Sequence, residues 1–506
     1  MACRFVLNNA SIEEHVPADA LLLDIIRRNR GMTGTKEACR EGDCGACQIL
    51  SGELINNRIR YQAVNACLVP AGAITGRHVV SIEGLNSEQL SPIQRALVDN
   101  GAIQCGFCTP GLVIALTGFF LNSRLSDENA ALDSVAGNLC RCTGYAGIKR
   151  AVSALCRQFD LSASPLERRI EDLIAWQILP AYFSTAPGML RHVHEITYAF
   201  HSPHPSPLQQ ERELVVEVIP CAFLSQYQVG KASEPLEHAI LIGGGTDLFV
   251  QKPEQLHSQA LYFLSNESLY PLIRKAQSDL IINALTTIEQ IRTSELLQAF
   301  FPRLAEDFKL ICSAPIRQRA TLAGNLVNAS PIADLAVFFL ALAAQLTLVS
   351  GSETRIVSLQ NFFQGYKKID LKPGERLLEI SFEIPGKADR FNYEKVSKRT
   401  HLDIASVNSA MLIQEQAGKI NKVHLSAGGV APVPLYLAKT CAYLRGQTVC
   451  LATVKTAAEI AQTEIAPISD IRGSAQYKRL LLRQLLYAHF AELFPGVFEG
   501  GTFNAG

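Results

Sequence analysis

The stretch that decides the fold is residues 39–47, Cys-Arg-Glu-Gly-Asp-Cys-Gly-Ala-Cys, followed by a fourth cysteine at Cys67. Cysteines spaced C-x4-C-x2-C with a later fourth are typical of the plant-type site for a two-iron, two-sulfur (2Fe–2S) cluster. Gly42 and Gly45 permit the left-handed backbone angles that a tight loop around a small inorganic core needs. Unrelated cysteines in a turn are the alternative, which the spacing disfavours. The stretch therefore predicts a carrier of single electrons.

The residues around this loop predict a small mixed domain. Residues 3–9 indicate a strand, and the apolar spacing of residues 18–31 indicates an amphipathic helix that ends at Gly31. After the loop, two strands flank Asn56-Asn57, a pair that suits a hairpin turn. Strand, helix, cysteine loop and strands in this order predict a ferredoxin-like β-grasp domain over residues 1–75.

A second group of cysteines lies in a helical region. Cys105 and Cys108 are spaced C-x2-C, and Cys140 and Cys142 are spaced C-x-C. Both pairs fall where a predicted helix begins or ends, and the positive ends of helices favour thiolates. Ser91 with Pro92 marks the start of the first of these helices. The region 76–160 is therefore predicted to hold a second 2Fe–2S cluster, with a structural zinc as the alternative.

Composition limits the classes of partner. The chain has 506 residues, enough for several domains, and its net charge is zero, so nothing points to a nucleic acid or an acidic membrane surface. The longest apolar run, Leu335 to Val349, is interrupted by Gln345 and is too short to span a bilayer. The first residues carry no apolar signal segment, and the 14 cysteines suit thiolates held by iron. We expect a cytoplasmic protein.

Residues 161–215 are rich in Pro, His, Ser and Gln with little periodicity, and we interpret them as a linker. Four histidines fall in this region, at His192, His194, His201 and His204. A metal site is one interpretation of these histidines. Polar residues on an extended exposed segment are the favoured one.

Two polar, glycine-containing stretches follow in residues 216–390. A buried strand leads into Gly243-Gly244-Gly245 and then Thr246-Asp247, and successive glycines expose amides that can hold a pyrophosphate. The triple glycine is not the dinucleotide fingerprint, and a tight turn explains it equally well. The second stretch, Arg319 to Leu335, combines small residues, hydrogen-bonding side chains and an acid. Two such loops facing each other suit a nucleotide cofactor with a diphosphate. Residues 391–506 predict a separate α+β domain.

Taken in order, these motifs resemble the iron–sulfur and flavin parts of the xanthine dehydrogenase and aldehyde oxidase family. The motifs that carry the resemblance run through nearly the whole chain: C-x4-C-x2-C, GAIQCGFCTPG, GNLCRCTGY, IGGGTDL, AGNLVNASPIADL, FFQGYKKIDLKPGE, DIASV, GGVAPVP and ISDIRGSAQYKRLLL. The resemblance implies an α+β multidomain fold: a β-grasp ferredoxin-like domain, a helical-bundle iron–sulfur domain, a two-part α+β FAD-binding domain and a C-terminal α+β domain.

The resemblance also implies roles for individual residues. One cluster would be held by Cys39, Cys44, Cys47 and Cys67, near the flavin, and the other by Cys105, Cys108, Cys140 and Cys142, near molybdopterin. Gln104 would reach the pterin at a subunit boundary. Lys395 would lie beside the flavin ring, where a cation stabilises reduced flavin; a solvated surface lysine is the alternative. The implied FAD-binding residues are Ile242, Gly243, Gly244, Gly245, Thr246, Asp247, Leu248, Thr321, Gly324, Asn325, Asn328, Ser330, Asp334, Leu377 and Lys395.

Two positions depart from the family pattern. Ala323 stands where the family usually has glycine, and Ile311 stands where relatives often have an aromatic residue. At both positions, the residue differs from the one that the family pattern would place against FAD, so the resemblance implies less about the residues that touch FAD there. The remaining cysteines match no ligand pattern and are most simply buried apolar residues.

The family resemblance implies an electron-transfer subunit whose layout is similar to the small subunit of two-chain bacterial members. Molybdopterin would lie on a large partner subunit, in a heterotetramer of two small and two large chains. Electrons from oxidation of hypoxanthine or xanthine to urate would pass through both clusters to FAD and on to NAD+. The alternatives are a relay for another aldehyde or N-heterocycle hydroxylase, and a redox-sensing or assembly subunit that lacks flavin.

Overall fold

The computed structural model describes residues 2–199, 239–264 and 272–497. The chain divides into two compact units. Unit 1 contains residues 1–266 together with Ser313–Gln318, and unit 2 contains Glu267–Cys312 and Arg319–Gly506. The chain thus leaves unit 2 for one short segment and then returns to it.

Unit 1 opens with a five-stranded sheet that carries the first cysteine loop. Its strands are β1 (Ala2–Leu7), β2 (Ala10–His15), β3 (Gln48–Ile55), β4 (Arg58–Asn65) and β5 (His78–Val80). Their spatial order is β2-β1-β5-β3-β4. Only β1 and β5 pair in parallel, because the helical crossover and the cysteine loop lie between them in sequence. This is the predicted ferredoxin-like sheet.

Two local predictions in this domain are confirmed. Asn56 and Asn57 form the turn between β3 and β4, and both have positive φ, at 48° and 63°. Such angles match the right-handed twist of a hairpin. The predicted amphipathic helix begins as α1 (Leu22–Asp24) and continues as a wider π turn over Ile25–Asn29, with Leu22 and Ile26 fully buried.

The helical part of unit 1 packs on β3 and β4. Its helices are α2 (Pro92–Asp99), α3 (Thr109–Asn122), α4 (Glu128–Ser134), α5 (Ala146–Gln158), α6 (Arg169–Ala175) and α7 (Ala186–Ala199). Ser91 caps α2 in a reciprocal capping box with Gln94, as its sequence position predicts. Helix α3 is apolar on every side and forms the centre of this domain.

The predicted linker is folded in its first part. Helices α6 and α7 lie in this part with a short helical turn, Ala181–Ser184, between them, and Leu173, Phe183 and Leu190 are buried at 3% exposure or less. Arg169 is also buried, and its guanidinium donates to the carbonyls of Phe120 and Ser123 at the end of α3. The prediction of a linker rested on the Pro- and His-rich composition and did not take account of these buried apolar residues. His192 is exposed, whereas His194 Nε2 lies 2.8 Å from Gly76 O; His201, His204 and residues 200–215 lie outside the described residues.

Unit 1 also contains the start of the predicted FAD-binding region. Its strands β6 (Ile240–Ile242) and β7 (Leu261–Phe263) pair in parallel, and between them lie α8 (Leu248–Gln251) and α9 (Pro253–His257). Ile242 and Phe249 pack in the same apolar core as Cys47 and Cys67.

Unit 2 is built on two larger sheets. The first, in the order β11-β10-β14-β9-β8, contains β8 (Ile273–Ala276), β9 (Asp279–Asn283), β10 (Gln345–Ser350), β11 (Glu353–Ser358) and β14 (Arg376–Glu383). A small pair lies in the loop before β14, formed by β12 (Phe363–Gly365) and β13 (Lys368–Ile369). The second sheet runs in sequence order through β15 (Asp389–Val396), β16 (Val407–Gln416), β17 (Lys419–Gly428) and β18 (Leu435–Tyr436).

The helices after residue 287 complete the fold. Those before the second sheet are α10 (Ile288–Arg292), α11 (Glu295–Gln298), α12 (Leu304–Asp307), α13 (Ala314–Arg317), α14 (Leu322–Val327), α15 (Asp334–Leu340) and α16 (Leu359–Phe362). Those after it are α17 (Ala438–Leu444), α18 (Leu451–Glu464) and α19 (Ala475–Leu493). Of these, α13 belongs to unit 1. No helix in the described ranges combines the length and apolar character that crossing a membrane requires.

Candidate iron–sulfur and flavin sites

The first group of cysteines is gathered by the loop between α1 and β3 and by the turn after β4. The Sγ atoms of Cys39 and Cys44 lie 3.2 Å apart, and this contact lowers the pKa of the Cys39 thiol to about 5. A matching contact joins Cys47 and Cys67, lowering the pKa of Cys47 and raising that of Cys67. The structure therefore brings the four predicted residues together as two sulfur pairs.

The loop holds these sulfurs with its backbone. The Glu41 amide donates to Cys39 Sγ at 3.4 Å, and amides at Asp43 and Cys44 also lower the pKa of the Cys39 thiol. Gly42 and Gly45 have φ of 81° and 67°, as expected for such a wrap. Amides directed at sulfur stabilise negative charge there, which suits thiolates bound to iron.

The second group of cysteines lies at the ends of helices. Cys108 immediately precedes α3, and Cys140 and Cys142 precede α5. Cys142 Sγ and Cys105 Sγ are 3.5 Å apart, and Cys108 is in contact with Cys140. Burial raises the pKa of Cys108 to about 12. Burial also opposes ionisation of Cys140, but hydrogen bonds from Thr143 and nearby amides outweigh it and lower the pKa of that thiol.

The arrangement in pairs bears on which metal fits. A 2Fe–2S core takes two thiolates on each of two irons, whereas zinc takes four ligands around one point. The donor chemistry and the two-by-two contacts therefore fit a two-iron core at each group.

The two groups are joined by backbone. The Leu139 amide donates to Cys44 O at 3.0 Å, one residue before Cys140. Beside this bond, Asn138 Nδ2 donates to Gly45 O at 3.1 Å. A Cβ built on Gly111, in the first turn of α3, would lie 2.2 Å from Gly45 O, so the two loops are in direct contact.

The surroundings of the two groups differ. Cys47 and Cys67 are 2% and 1% exposed, whereas Cys105 and Cys142 lie at the surface. Gln104 is also exposed, next to Cys105. Large apolar side chains surround this second group at the surface: Phe107 is 44% exposed, Leu139 39% and Tyr145 37%.

The residues predicted to bind FAD fall in both units. In unit 1, Ile242 ends β6 and is buried, Gly243 and Gly244 follow, and Gly245 turns the chain with φ of 73°. Thr246 and Asp247 come next, and Leu248 begins α8. Asp247 Oδ1 accepts a hydrogen bond from Gln251 Nε2 at 2.7 Å. The loop is partly exposed, which leaves it open to approach by a ligand.

In unit 2, the second polar stretch surrounds α14. Thr321 Oγ1 accepts from the Gly324 amide at 3.1 Å, and Asn325 Oδ1 is buried without a hydrogen-bond partner. The carbonyl and side chain of Asn328 both accept from Lys367 Nζ, and Ser330 is partly buried. An orphaned buried oxygen beside small residues fits a stretch that receives a polar ligand. That the two loops face each other stays a prediction.

Asp334 and Lys395 form a buried ion pair. Lys395 Nζ lies 2.9 Å from Asp334 Oδ2, and the side chains are 2% and 12% exposed. Lys395 also donates to Leu310 O at 2.7 Å. Tyr393 OH and Asn408 Nδ2 both donate to Asp334 Oδ1. The alternative of a solvated surface lysine is therefore wrong, and the pairing with Asp334, distant in sequence, was not foreseen.

The remaining predicted positions are core residues. Leu377 is 6% exposed on β14, and Ile311 is 1% exposed in the apolar core of unit 2. Ala323 packs partly buried against the same core, and its amide donates to Ala284 O at 2.8 Å. Tyr393 and Asn408 are site residues that sequence reasoning missed. Tyr393 lies two residues before Lys395 on β15, and Asn408 is the cross-strand partner of Lys395 on β16, so strand periodicity was the signal that could have found them.

Comparison with known protein families defines the class of these sites. Four family models match the chain in order: a 2Fe-2S iron-sulfur cluster binding domain (residues 5–72), a [2Fe-2S] binding domain (81–153), the FAD binding domain in molybdopterin dehydrogenase (222–385) and the CO dehydrogenase flavoprotein C-terminal domain (392–493). The chain therefore carries domains that match 2Fe–2S cluster-binding and FAD-binding families in the predicted order, and the predicted fold class is confirmed.

The particular relatives are xanthine dehydrogenases and aldehyde oxidases. The chain is 28% identical over 480 residues to xanthine dehydrogenase of Emericella nidulans, covering 88% of this chain and 35% of that protein. It is 26% identical to xanthine dehydrogenase/oxidase of Gallus gallus, covering 88% and 36% of the two chains. It is 25% identical to aldehyde oxidase 2 of Mus musculus, covering 97% and 39%. The chain spans little more than a third of the length of these relatives.

Solved structures also show similarity. A Cu,Mo-CO dehydrogenase in its cyanide-inactivated form is 27% identical, with a TM-score of 0.47, over 49% of this chain and 87% of that chain. Quinoline 2-oxidoreductase from Pseudomonas putida 86 is 25% identical, with a TM-score of 0.48, over 53% and 92%.

Proposed function

We propose that the chain is the electron-transfer subunit of a molybdenum hydroxylase. Electrons from oxidation of hypoxanthine or xanthine to urate on a molybdopterin-binding partner pass through two 2Fe–2S clusters to FAD and on to NAD+. The observation that carries this proposal is the direct backbone contact between the two cysteine groups, at Leu139 N and Cys44 O. A continuous covalent and hydrogen-bonded route between two one-electron carriers is what a relay requires.

The proposed ligands are the eight cysteines of the two groups. The 2Fe–2S clusters exchange single electrons, and FAD exchanges one or two, so the set can convert a two-electron oxidation into a hydride for NAD+. A backbone amide donates to Cys39 Sγ, and Cys47 and Cys67 are buried from water. Lys395 and Asp334 form a buried ion pair whose opposite charges balance. This pairing supports a role for Lys395 as an oriented donor rather than as an unbalanced cation.

The exposed second group supports the proposed partner. Cys105, Cys142 and Gln104 lie at the surface among Phe107, Leu139 and Tyr145. Exposed apolar side chains around a cofactor site suit a protein interface that excludes water on binding. We propose that the molybdopterin subunit docks here, in a heterotetramer of two small and two large chains. The cysteines in the described residues form no disulfides, which supports the proposed cytoplasmic location.

The substrate is proposed as a purine because two of the relatives above are xanthine dehydrogenases. The alternative, a relay for an aldehyde or another N-heterocycle, is favoured by the aldehyde oxidase relative. Turnover by the complex with its partner, measured with xanthine, aldehydes and quinoline, separates them.

The test of the relay uses the chain purified with its iron and flavin. We expect NADH to reduce an artificial dye through this subunit alone, whereas xanthine reduces nothing without the partner. A sample that contains flavin and iron but shows no dye reduction with NADH contradicts NAD+ as the acceptor. A sample that contains both clusters and binds no added FAD supports the flavin-less alternative.

A further inference from the structure

Ser313–Gln318 lies in an unexpected part of the fold. In sequence it falls within the region that matches the FAD binding domain, and residues on both sides of it belong to unit 2. The segment itself, with helix α13, belongs to unit 1. Ser313 and Pro315 are buried, and Ile316 is partly buried.

Ile316 closes over the first cysteine loop. A Cβ built on Gly42 would lie 2.7 Å from Ile316 Cδ1 and 2.6 Å from Leu68 Cδ1, so both side chains pack directly on the Gly42 backbone. Ile316 packs against the same apolar core as Cys47 and Cys67. The Gly42 carbonyl is occupied as well, since Asn65 Nδ2 donates to it at 2.7 Å.

The other end of the segment packs on the turn that leads to the second cysteine group. A Cβ built on Gly137 would lie 2.9 Å from Pro315 Cδ and 3.2 Å from Ser313 Cβ. Asn138 and Leu139 follow Gly137 and donate to Gly45 O and Cys44 O. The segment thus covers the place where the two loops meet, with one contact on each loop.

We infer that Ser313–Gln318 is a cover that excludes water from the first cysteine site and thereby sets the reduction potential of the cluster bound there. The inference rests on the proposed function, since it requires a 2Fe–2S cluster at Cys39, Cys44, Cys47 and Cys67. Reduction adds negative charge to the cluster, and water stabilises that charge, so exposure raises the potential. The apolar contact of Ile316 with Gly42 keeps the potential low.

The test is a redox titration of the intact chain followed by EPR, in which each cluster gives its own signal. In Ile316→Ala, one midpoint potential moves to a more positive value and the other stays unchanged. Ile316→Val gives a smaller shift in the same direction. Gly137→Ala shifts the same midpoint upward, because its new methyl group displaces Pro315. Ile356→Ala, at an exposed position in unit 2, is the matched control and shifts neither.

The outcomes separate the inference from the function on which it rests. A wild-type chain without 2Fe–2S signals overturns the proposed function. Two wild-type signals, with both midpoints unchanged in Ile316→Ala and Gly137→Ala, overturn the cover while the relay stands. If Ile316→Ala fails to retain its clusters, Ile316→Val and Gly137→Ala decide by the same criterion.

Discussion

The two cysteine groups of unit 1 share a ligand chemistry but differ in how the chain protects them. The first is enclosed: Cys47 and Cys67 are almost fully buried, and backbone and apolar side chains close over Gly42 and Gly45. The second is open, with Cys105 and Cys142 at the surface. The proposed relay accounts for this difference: the internal carrier is shielded by its own chain, whereas the carrier at the entry point leaves one side open for the proposed partner.

Serine in place of one cysteine from each group gives the largest contrast. We expect Cys47→Ser and Cys105→Ser each to reduce iron from about four to about two atoms per chain. Only Cys47→Ser also puts a hydroxyl into a buried apolar core, which costs about 1–3 kcal/mol of unfolding free energy. Iron analysis and chemical denaturation of both variants measure this. Equal loss of stability in the two variants contradicts the contrast between an enclosed and an open site.

Alanine in place of one loop glycine from each group distinguishes the cost of a steric clash from the cost of a positive φ angle. Gly45 and Gly106 both have positive φ, at 67° and 80°, so alanine costs about 1 kcal/mol at either position. At Gly45 the new Cβ would also lie 2.4 Å from Gly137 O, whereas at Gly106 it meets nothing within 4 Å. We expect Gly45→Ala to cost about 3 kcal/mol or more and Gly106→Ala about 1 kcal/mol.

The control for this comparison is iron content at the other group. Gly45→Ala should lose the first cluster while the second remains, because the new methyl group is added between the ligands Cys44 and Cys47. Gly106→Ala should retain both. A Gly45→Ala variant as stable as Gly106→Ala shows that the contact between the loops is looser than the structure indicates.

Acid tests the stability of the first domain without a change to a ligand or a loop glycine. His78, on β5 of the domain that carries the first group, is fully buried between Tyr61 and Asn8 O, and burial lowers its pKa from 6.5 to about 4. Residues 92–158, which carry the second group, contain no histidine. Between pH 6.5 and 4 the unfolded state binds the extra proton, so stability falls as the pH falls through this window, by up to about 3 kcal/mol.

The measurement is the unfolding free energy from pH 7.5 to 4, in wild type and His78→Gln. We expect the histidine-dependent part of the slope to disappear in the variant. A slope that is unchanged in His78→Gln shows that other groups carry the acid sensitivity.

Sequence reasoning predicted the parts of the molecule that local chemistry dictates. The cysteine groups follow from ligand spacing, the Asn56-Asn57 hairpin from turn geometry, and the start of α2 from its capping residues. These signals lie within a few residues of the features they specify, so one sequence is enough to find them.

The rest depends on contacts between distant residues. The helices over 169–199 are held by a few buried apolar residues and by Arg169 at the end of α3, which a Pro- and His-rich composition concealed. The partner of Lys395 lies 61 positions away, at Asp334. Ser313–Gln318 lies in sequence within the predicted FAD-binding domain, but it folds with unit 1. Spacing along the chain carries no information about such pairings.

The central claim is that each cysteine group holds a 2Fe–2S cluster. The most direct measurement is quantitative low-temperature EPR of the chemically reduced chain. We predict two distinct signals that integrate together to about two unpaired spins per chain, one for each singly reduced cluster. A single signal of about one spin, or an EPR-silent chain that contains zinc, would contradict the claim.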